Sequence, residues 1–474
     1  MHKINISSLL NFILFVFFCL GITLAKPFSL HLIPFYFSLC SLGIAYFFYK
    51  KNRPFISDVC IIVLFFLLGM CIYSESDQKI IDSHLNTNQE ISLEVLSLPM
   101  EKKLFNSLKV KIITIDGLRV SQTVRLRDYT RKMKFLDKYK LEAKLKKQKF
   151  KNRYYYNLWL KKDTEINKLP LSLWAKFRKK TSLYLLSVFK ENCNQDAARF
   201  LSAVFLGRRE LVKNESNFFS KTGASHLLAI SGLHLGLSSV ILFFILGFFH
   251  LSFRLRLAVT VIFLFVYTFV TGAAPSTVRA TIMFTCFGLA FFLKRKVNPL
   301  NSLALAGFVI LISEPKMLFG VGFQLSFLAV FAIIIGFRVF AIKPSAIRGL
   351  SYFKYIFFSS LFVMVFLTPL TSLYFNKITI LSVFYNIILI PYFSFLLFLA
   401  FILVVLSPFG FLAKSLGALL SLSSNAFVWL VKILSLVKLA FIPYTFSLKE
   451  LMIYYIILLS GIFLLYIKKP RFLG

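Results

Sequence analysis

Uninterrupted apolar runs near the length that spans a bilayer recur along this 474-residue chain, and no other feature restricts its fold so strongly. Three open the sequence, at about 7–24, 27–49 and 56–73, and more fill the stretch from about 222 to the C-terminus. Hydrophobic residues make up 58% of the chain. A soluble core of this size cannot enclose that much apolar surface, so lipid must cover part of it. The fold class that follows is a polytopic α-helical membrane protein of about 11–13 spans. Met1-His2-Lys3 before the first run resembles a signal peptide, but no small-residue cleavage site follows, so the run reads as an uncleaved first span.

One long polar stretch, 74–181, interrupts the pattern. Its segments EISLEVLSL, SLKVKIITI, RVSQTVRL and YKLEAKLKK are short and alternate polar with apolar residues, which predicts a small inserted β-barrel. The chain then divides into a three-span segment at 1–73, the β domain at 74–181, amphipathic connecting helices at 182–222 and a transmembrane domain at 223–474.

Loop charge predicts an orientation. Lys50, Lys51 and Arg53 between the second and third runs belong in the cytoplasm, which puts the N-terminus inside and 74–181 outside. The basic loops near Arg254 and Arg256, Lys294 to Lys296, and Lys343 to Arg348 then also fall inside. The region 378–408 leaves the C-terminal side open, because about 47 Å of helix with Pro391 in its middle fits one span plus a re-entrant piece or two crossings.

Charge is lopsided: 56 Lys+Arg against 19 Asp+Glu give a formal net of +37. A basic soluble module on a membrane protein suggests a polyanion or anionic lipid as partner. The run from Arg131 to Lys162 concentrates this charge beside aromatics. Lys147, Lys149, Lys151, Arg153, Tyr155 and Trp159 are candidates for a surface that contacts a single nucleic-acid strand, with charge for a backbone and flat rings for bases. A solvated face with core aromatics is the alternative, and anionic headgroups would suit the same residues.

Two segments of the apolar half carry polar side chains. TGASHLLAISGLHLGL (222–237) places His226, Ser231 and His234 at the start of a span, within roughly 140° of arc on a regular helix. They either line a wet path or make interhelical hydrogen bonds. TGAAPSTVRATIMF (271–284) places Arg279 just inside a span, three residues after Ser276. Its guanidinium either snorkels to the nearby surface or forms a cationic element that attracts phosphate. Gln324, Ser326 and Asn386, also in apolar runs, read as helix-packing groups.

The six cysteines show no CxxC or metal-ligand spacing, the six histidines form no HxHxDH cluster, and GxxxxGK[ST] is absent. No cofactor, metal centre or P-loop nucleotide hydrolysis is expected.

HLLAISGLHLGL at 226–237 resembles the most distinctive motif of the ComEC family of competence proteins, inner-membrane channels for DNA uptake. The resemblance continues in order through GRREL (207–211), TGAAPSTVRA (271–280), NPLNSLALAG (298–307), EPKMLFGVGFQLSFLAV (314–330) and TPLTSLYFNKITILSVFYNIILIP (368–391). KNRYYYNLWLKKDTEI, near the end of the polar stretch, resembles more loosely the family's extracytoplasmic OB-like domain.

The resemblance implies a multi-pass protein of the bacterial cytoplasmic membrane that passes single-stranded DNA inward during natural transformation. His226, Ser231, His234, Ser276 and Arg279 then belong to the translocation path. It implies as partners single-stranded DNA, an extracytoplasmic DNA receptor, a separate nuclease and a cytoplasmic ATPase that pulls the strand. Many family members continue into a metallo-β-lactamase-like domain, whereas this sequence stops after KKPRFLG; a short form without nuclease or ATPase activity is expected. An intramembrane serine-type hydrolase using Ser231 and a histidine is the alternative, although three positions along one helix make a nucleophile–base contact awkward. A small-solute transporter ranks last, lacking mid-membrane acids.

Overall fold

The computed structural model describes residues 6–25, 54–72, 81–85, 87–101, 105–150, 153–160, 164–342 and 348–468. The chain forms two compact units, Ser74–Ser187 and the remainder.

In the first unit the alternation seen in the sequence becomes an inside and an outside. The strands are β1 (Asn88–Val95), β2 (Met100–Glu101), β3 (Asn106–Ile115), β4 (Leu118–Asp128), β5 (Lys138–Phe150), β6 (Arg153–Leu160) and β7 (Ile166–Leu169). Ile91, Leu93, Val110, Ile112, Leu126, Leu141, Leu145 and Leu158 point inward and form one buried cluster. Lys109, Lys111 and Arg125 fall on alternate positions and face out. The order β1-β3-β4-β6-β5, with β5 pairing back to β1, closes a five-stranded barrel. Every pair in the ring is antiparallel except β4 with β6, which run parallel. That ring order is the Greek-key closure of an OB-like barrel. Bulges at Ser92/Leu93 and Ile112/Thr114 break the ladder where the strands must curve.

The second unit is a helical bundle. Its helices are α1 (Ile6–Ala25), α2 (Pro54–Ile72), the end of α3 (Leu173–Asn192, of which the residues up to Ser187 belong to the first unit), α4 (Gln195–Leu206), α5 (Ser216–Lys221), α6 (Gly232–Phe248) and α7 (Phe253–Val270). They continue as α8 (Pro275–Phe292), α9 (Pro299–Ser313), α10 (Val321–Phe340), α11 (Arg348–Phe375), α12 (Ser382–Leu406), α13 (Gly410–Leu434) and α14 (Leu448–Lys468). Among the described residues seven helices are long and apolar enough to cross a membrane: α7, α8, α10, α11, α12, α13 and α14. Shorter apolar helices lie within α1, α2, α6 and α9. Large apolar side chains such as Phe244, Phe248, Leu422, Ile456 and Phe463 point outward, where lipid is their only favourable solvent. The expected polytopic bundle with a small inserted barrel is what the structure shows.

The region around Pro391 is one continuous helix, α12, of 25 residues. At 1.5 Å per residue it is about 37 Å long, enough for a single tilted crossing. Helix α4 is amphipathic and almost wholly buried, with Asn194 as its N-cap and Gly207 in the left-handed conformation at its end. Its Phe200 ring meets Phe219 and Phe427, and Tyr267 of α7 donates to the Phe205 carbonyl at 2.7 Å. The GRREL segment that follows is thereby held against the bundle core.

Candidate functional site

The segment 222–237 is not one helix, and its three polar residues do not share a helical face. Gly223 has φ +75°, which turns the chain sharply; a side chain there would also meet Thr379 and Ser382. His226 ends a short 3₁₀ turn, exposed, with Nδ1 3.1 Å from the Gly223 carbonyl. Ser231 is extended (φ −126°, ψ 174°), so helix α6 starts only at Gly232.

The physical reason is capping. Ser231 Oγ accepts the Leu233 N–H at 3.2 Å, and His234 Nδ1 accepts the Ser231 N–H at 3.2 Å. This is a capping box with histidine in the place usually taken by glutamate. It brings Ser231 Oγ to 3.0 Å from His234 Nδ1, a contact that a regular helix would not give. The geometric objection to a serine–histidine pair is corrected by this cap.

The extended turn is latched to α8. Ser276, in the first turn of α8 behind Pro275, donates from Oγ to the Ile230 carbonyl at 2.7 Å. One turn further in, Arg279 is 7% exposed and does not snorkel to a surface. Its Nη1 donates to the Ser326 carbonyl of α10 at 2.8 Å, and Nη2 would lie 3.3 Å from a methyl group added at Gly232. Gly232 therefore leaves room for the guanidinium beside the first turn of α6. His234 is buried and sets its ring edge-on to Phe393 of α12, with centroids 5.1 Å apart.

Among the described residues, His234 Nε2, Arg279 Nε and Ser326 Oγ find no hydrogen-bond partner. No carboxylate contacts Arg279 among the described residues. Two helix N-termini, those of α6 and α8, add their positive ends to the same place. Arg209 joins the cluster: exposed, it donates from Nε to the Leu228 carbonyl at 3.2 Å and lies within electrostatic range of His234. In the sequence GRREL stands out only for its resemblance, because nothing local ties residue 209 to the turn at residue 228. Gln324 and Asn386 make the expected packing contacts. Gln324 donates to the Leu318 carbonyl and accepts from Tyr374, while Asn386 donates to Ser360.

The barrel carries a second basic-aromatic surface. Trp159 on β6 lies opposite Arg127 of β4 and Lys144 of β5. The Arg127 guanidinium sits 4.2 Å from the Trp159 ring and 5.4 Å from Phe105, and Lys146 Nζ is 4.6 Å from Trp159. Lys109, Arg125, Asn157 and Lys146 form the adjoining cross-strand row. Lys147 is engaged elsewhere. It pairs with Asp82 at 2.9 Å, a carboxylate that also accepts from Tyr156, and that hydrogen bond holds the Lys147 ammonium above its ordinary range. Lys151 lies outside the described residues, as do the side chains of Lys149, Arg153 and Tyr155.

A family model described as Competence protein matches residues 204–468, more than half of the chain. ComE operon protein 3 of Bacillus subtilis is 30% identical over 201 residues, covering 42% of this chain and 25% of that protein. Recombination protein 2 of Haemophilus influenzae is 30% identical over 215 residues, 42% of this chain and 27% of its own length. An uncharacterized protein of Aquifex aeolicus is 30% identical over 166 residues, 34% of this chain and 39% of its own. The chain thus spans about a quarter of the length of the first two relatives. No solved structure matches.

Proposed function

Because the chain belongs to the ComEC family of competence proteins, we propose that it conducts single-stranded DNA across the cytoplasmic membrane during natural transformation. The observation that carries this reading is Arg279, a guanidinium buried in a membrane bundle with only a neutral carbonyl for a partner among the described residues. Burying an unpaired cation costs several kcal/mol, about 2.5–3.5 for arginine on insertion scales. A passing phosphate would supply the missing charge, and the converging N-termini of α6 and α8 favour the same ligand. In this reading Ser231, His234, Ser276 and Arg279 line the path, His226 and Arg209 stand at its rim, and His234 Nε2 offers a polar contact to the strand.

The barrel would offer the strand a contact surface of its own. Trp159 provides a flat ring, while Arg127, Lys144 and Lys146 supply charge for the backbone. Trp159→Ala should weaken binding of a short oligothymidylate by about 1–3 kcal/mol, the usual worth of one stacked base. Wild-type affinity in a titration of the purified protein would remove this surface from the account. Among the described residues the apolar helices from α6 to α14 number nine, so if each crosses once the start of α6 and the end of α14 lie on opposite sides. With basic loops inside, the barrel is extracytoplasmic and the N-terminus cytoplasmic. A surface DNA receptor, a nuclease for the other strand and a cytoplasmic ATPase would complete the uptake machinery.

The Ser231–His234 contact of 3.0 Å favours a second reading, an intramembrane serine hydrolase. Both side chains are already engaged in capping α6, however, and among the described residues His234 Nε2 has no orienting acid. Ser231→Ala separates the two readings. Loss of a cap costs about 1 kcal/mol, so a channel should retain DNA uptake within about fivefold, whereas a hydrolase loses its nucleophile and all its activity. Cleavage of a membrane-protein substrate by the purified protein that Ser231→Ala abolishes would favour the hydrolase.

A further inference from the structure

Beside the motif, three connecting segments bring together two lysines that the path described above does not use. Lys221 ends α5; its Nζ lies 5.8 Å from the Phe441 ring. Lys377, in the connector between α11 and α12, is half-buried and donates from Nζ to the hydroxyl of Ser220. Ser220 and Lys221 are consecutive on α5, and Phe441 adjoins Ile442, whose bridge partner Ile378 follows Lys377, so both ammonium groups belong to one junction of three segments; among the described residues neither meets a carboxylate. Burial, and then the charge of Lys221, lower the affinity of Lys377 for its proton.

The arrangement is fixed rather than incidental. Gly223 lets the chain pass flush against Thr379 and Ser382 immediately after Lys221. The loop carrying Phe441 is tied to the same connector by paired backbone bonds between Ile378 and Ile442, at 2.9 and 2.8 Å. Asp196 pairs with Arg199 at 3.7 Å, and Glu450, beyond Phe441, accepts from the Tyr444 hydroxyl and the Ser447 N–H. Like charges held together and partly desolvated are unfavourable unless an anion bridges them.

We propose that Lys221 and Lys377 form a phosphodiester-binding subsite for single-stranded nucleic acid, one step upstream of the turn that carries His226 and Ser231. The inference rests on the DNA-channel reading and adds to it the place where the strand is gripped before it meets Arg279. Continuity with the motif decides for a nucleic acid over a lipid phosphate: Thr222 and Gly223 are the only residues between Lys221 and the 3₁₀ turn ending at His226.

The test is a salt titration of binding between the purified full chain and a fluorescent oligothymidylate. Removing one lysine–phosphate interaction should flatten the slope of log K against log salt by about 0.7. The double variant K221Q/K377Q should therefore have a slope shallower by about 1.4 and bind on the order of tenfold more weakly at 0.1 M salt. K221R/K377R should restore the wild-type slope, which a merely misfolded variant would not. A wild-type slope in K221Q/K377Q overturns the subsite while leaving the channel intact. Unchanged oligonucleotide binding with loss of co-purified phosphatidylglycerol also overturns it, and assigns the lysines to lipid. Absence of any salt-dependent binding in the wild-type protein would sink the subsite and the channel reading together.

Discussion

Cells carrying Arg279→Leu should fail to bring DNA into the cytoplasm, with uptake lowered about a hundredfold or more, while the protein stays in the membrane at its normal level. The size follows from the setting. Removing one member of a buried, hydrogen-bonded charge pair costs about 2–5 kcal/mol, and here the pair would form only as each phosphate passes. The direction of the stability change makes the result clean. Leucine relieves the membrane bundle of an uncompensated buried cation, so folding should be unharmed or improved. Arg279→Lys keeps the charge but loses the planar fork that reaches Ser326, and should fall between the two. Nuclease-protected cytoplasmic DNA in R279L cells at wild-type amounts would remove Arg279 from the path.

The second large effect belongs to the barrel. Asp137 is fully buried and ion-paired with Lys179 at 2.6 Å and Lys168 at 3.1 Å. Its backbone carbonyl also accepts the Val95 N–H, which ties the entrance of β5 to β1. Asp137→Ala leaves the partly buried Lys179 without a counter-ion, a change worth about 3–5 kcal/mol for buried pairs. The lower end applies, because Lys168 is largely exposed and its share is screened. Amide hydrogens of β1 and β5 should then exchange roughly 100-fold faster in the full-length protein. Unchanged protection would show that the barrel does not depend on the pair.

The same residue sets a pH dependence. Burial alone would raise the Asp137 carboxyl, but the Lys179 and Lys168 hydrogen bonds outweigh it and hold the group below the usual carboxylate range. A depressed folded-state value means the stabilisation is fully present above the unfolded value near pH 4 and is lost as pH falls below it. Wild-type barrel protection should therefore decline on acidification through that window, and Asp137→Asn should flatten the decline.

Much of this architecture is legible in the chain because its signals are local. Apolar runs of bilayer length locate the helices, and period-two alternation in SLKVKIITI or YKLEAKLKK locates strands with one wet face. The closure of the barrel is not local: the parallel register that sets Arg127 beside Trp159 joins strands separated by β5. For the same reason Lys147 looks available in the sequence, while the structure spends its charge on Asp82, 65 positions away. At the motif, the polar residues themselves are visible in the sequence but their geometry is not. Serine followed three residues later by a side chain that can accept a hydrogen bond is a capping signal. Histidine in that third place disguises it, so SGLH reads as helix interior instead of helix start. Arg279 is visible as an isolated charge in an apolar run. Its burial against Ser326 depends on a helix 47 positions onward, which only the fold brings alongside.

The central claim is tested most directly by following labelled DNA into the nuclease-protected cytoplasm of wild-type cells and of cells deleted for this gene. The account predicts that deleted cells still bind DNA at the surface while none becomes protected in the cytoplasm, and that a plasmid copy restores it. Equal amounts of protected cytoplasmic DNA in the two strains would contradict a channel role for this chain.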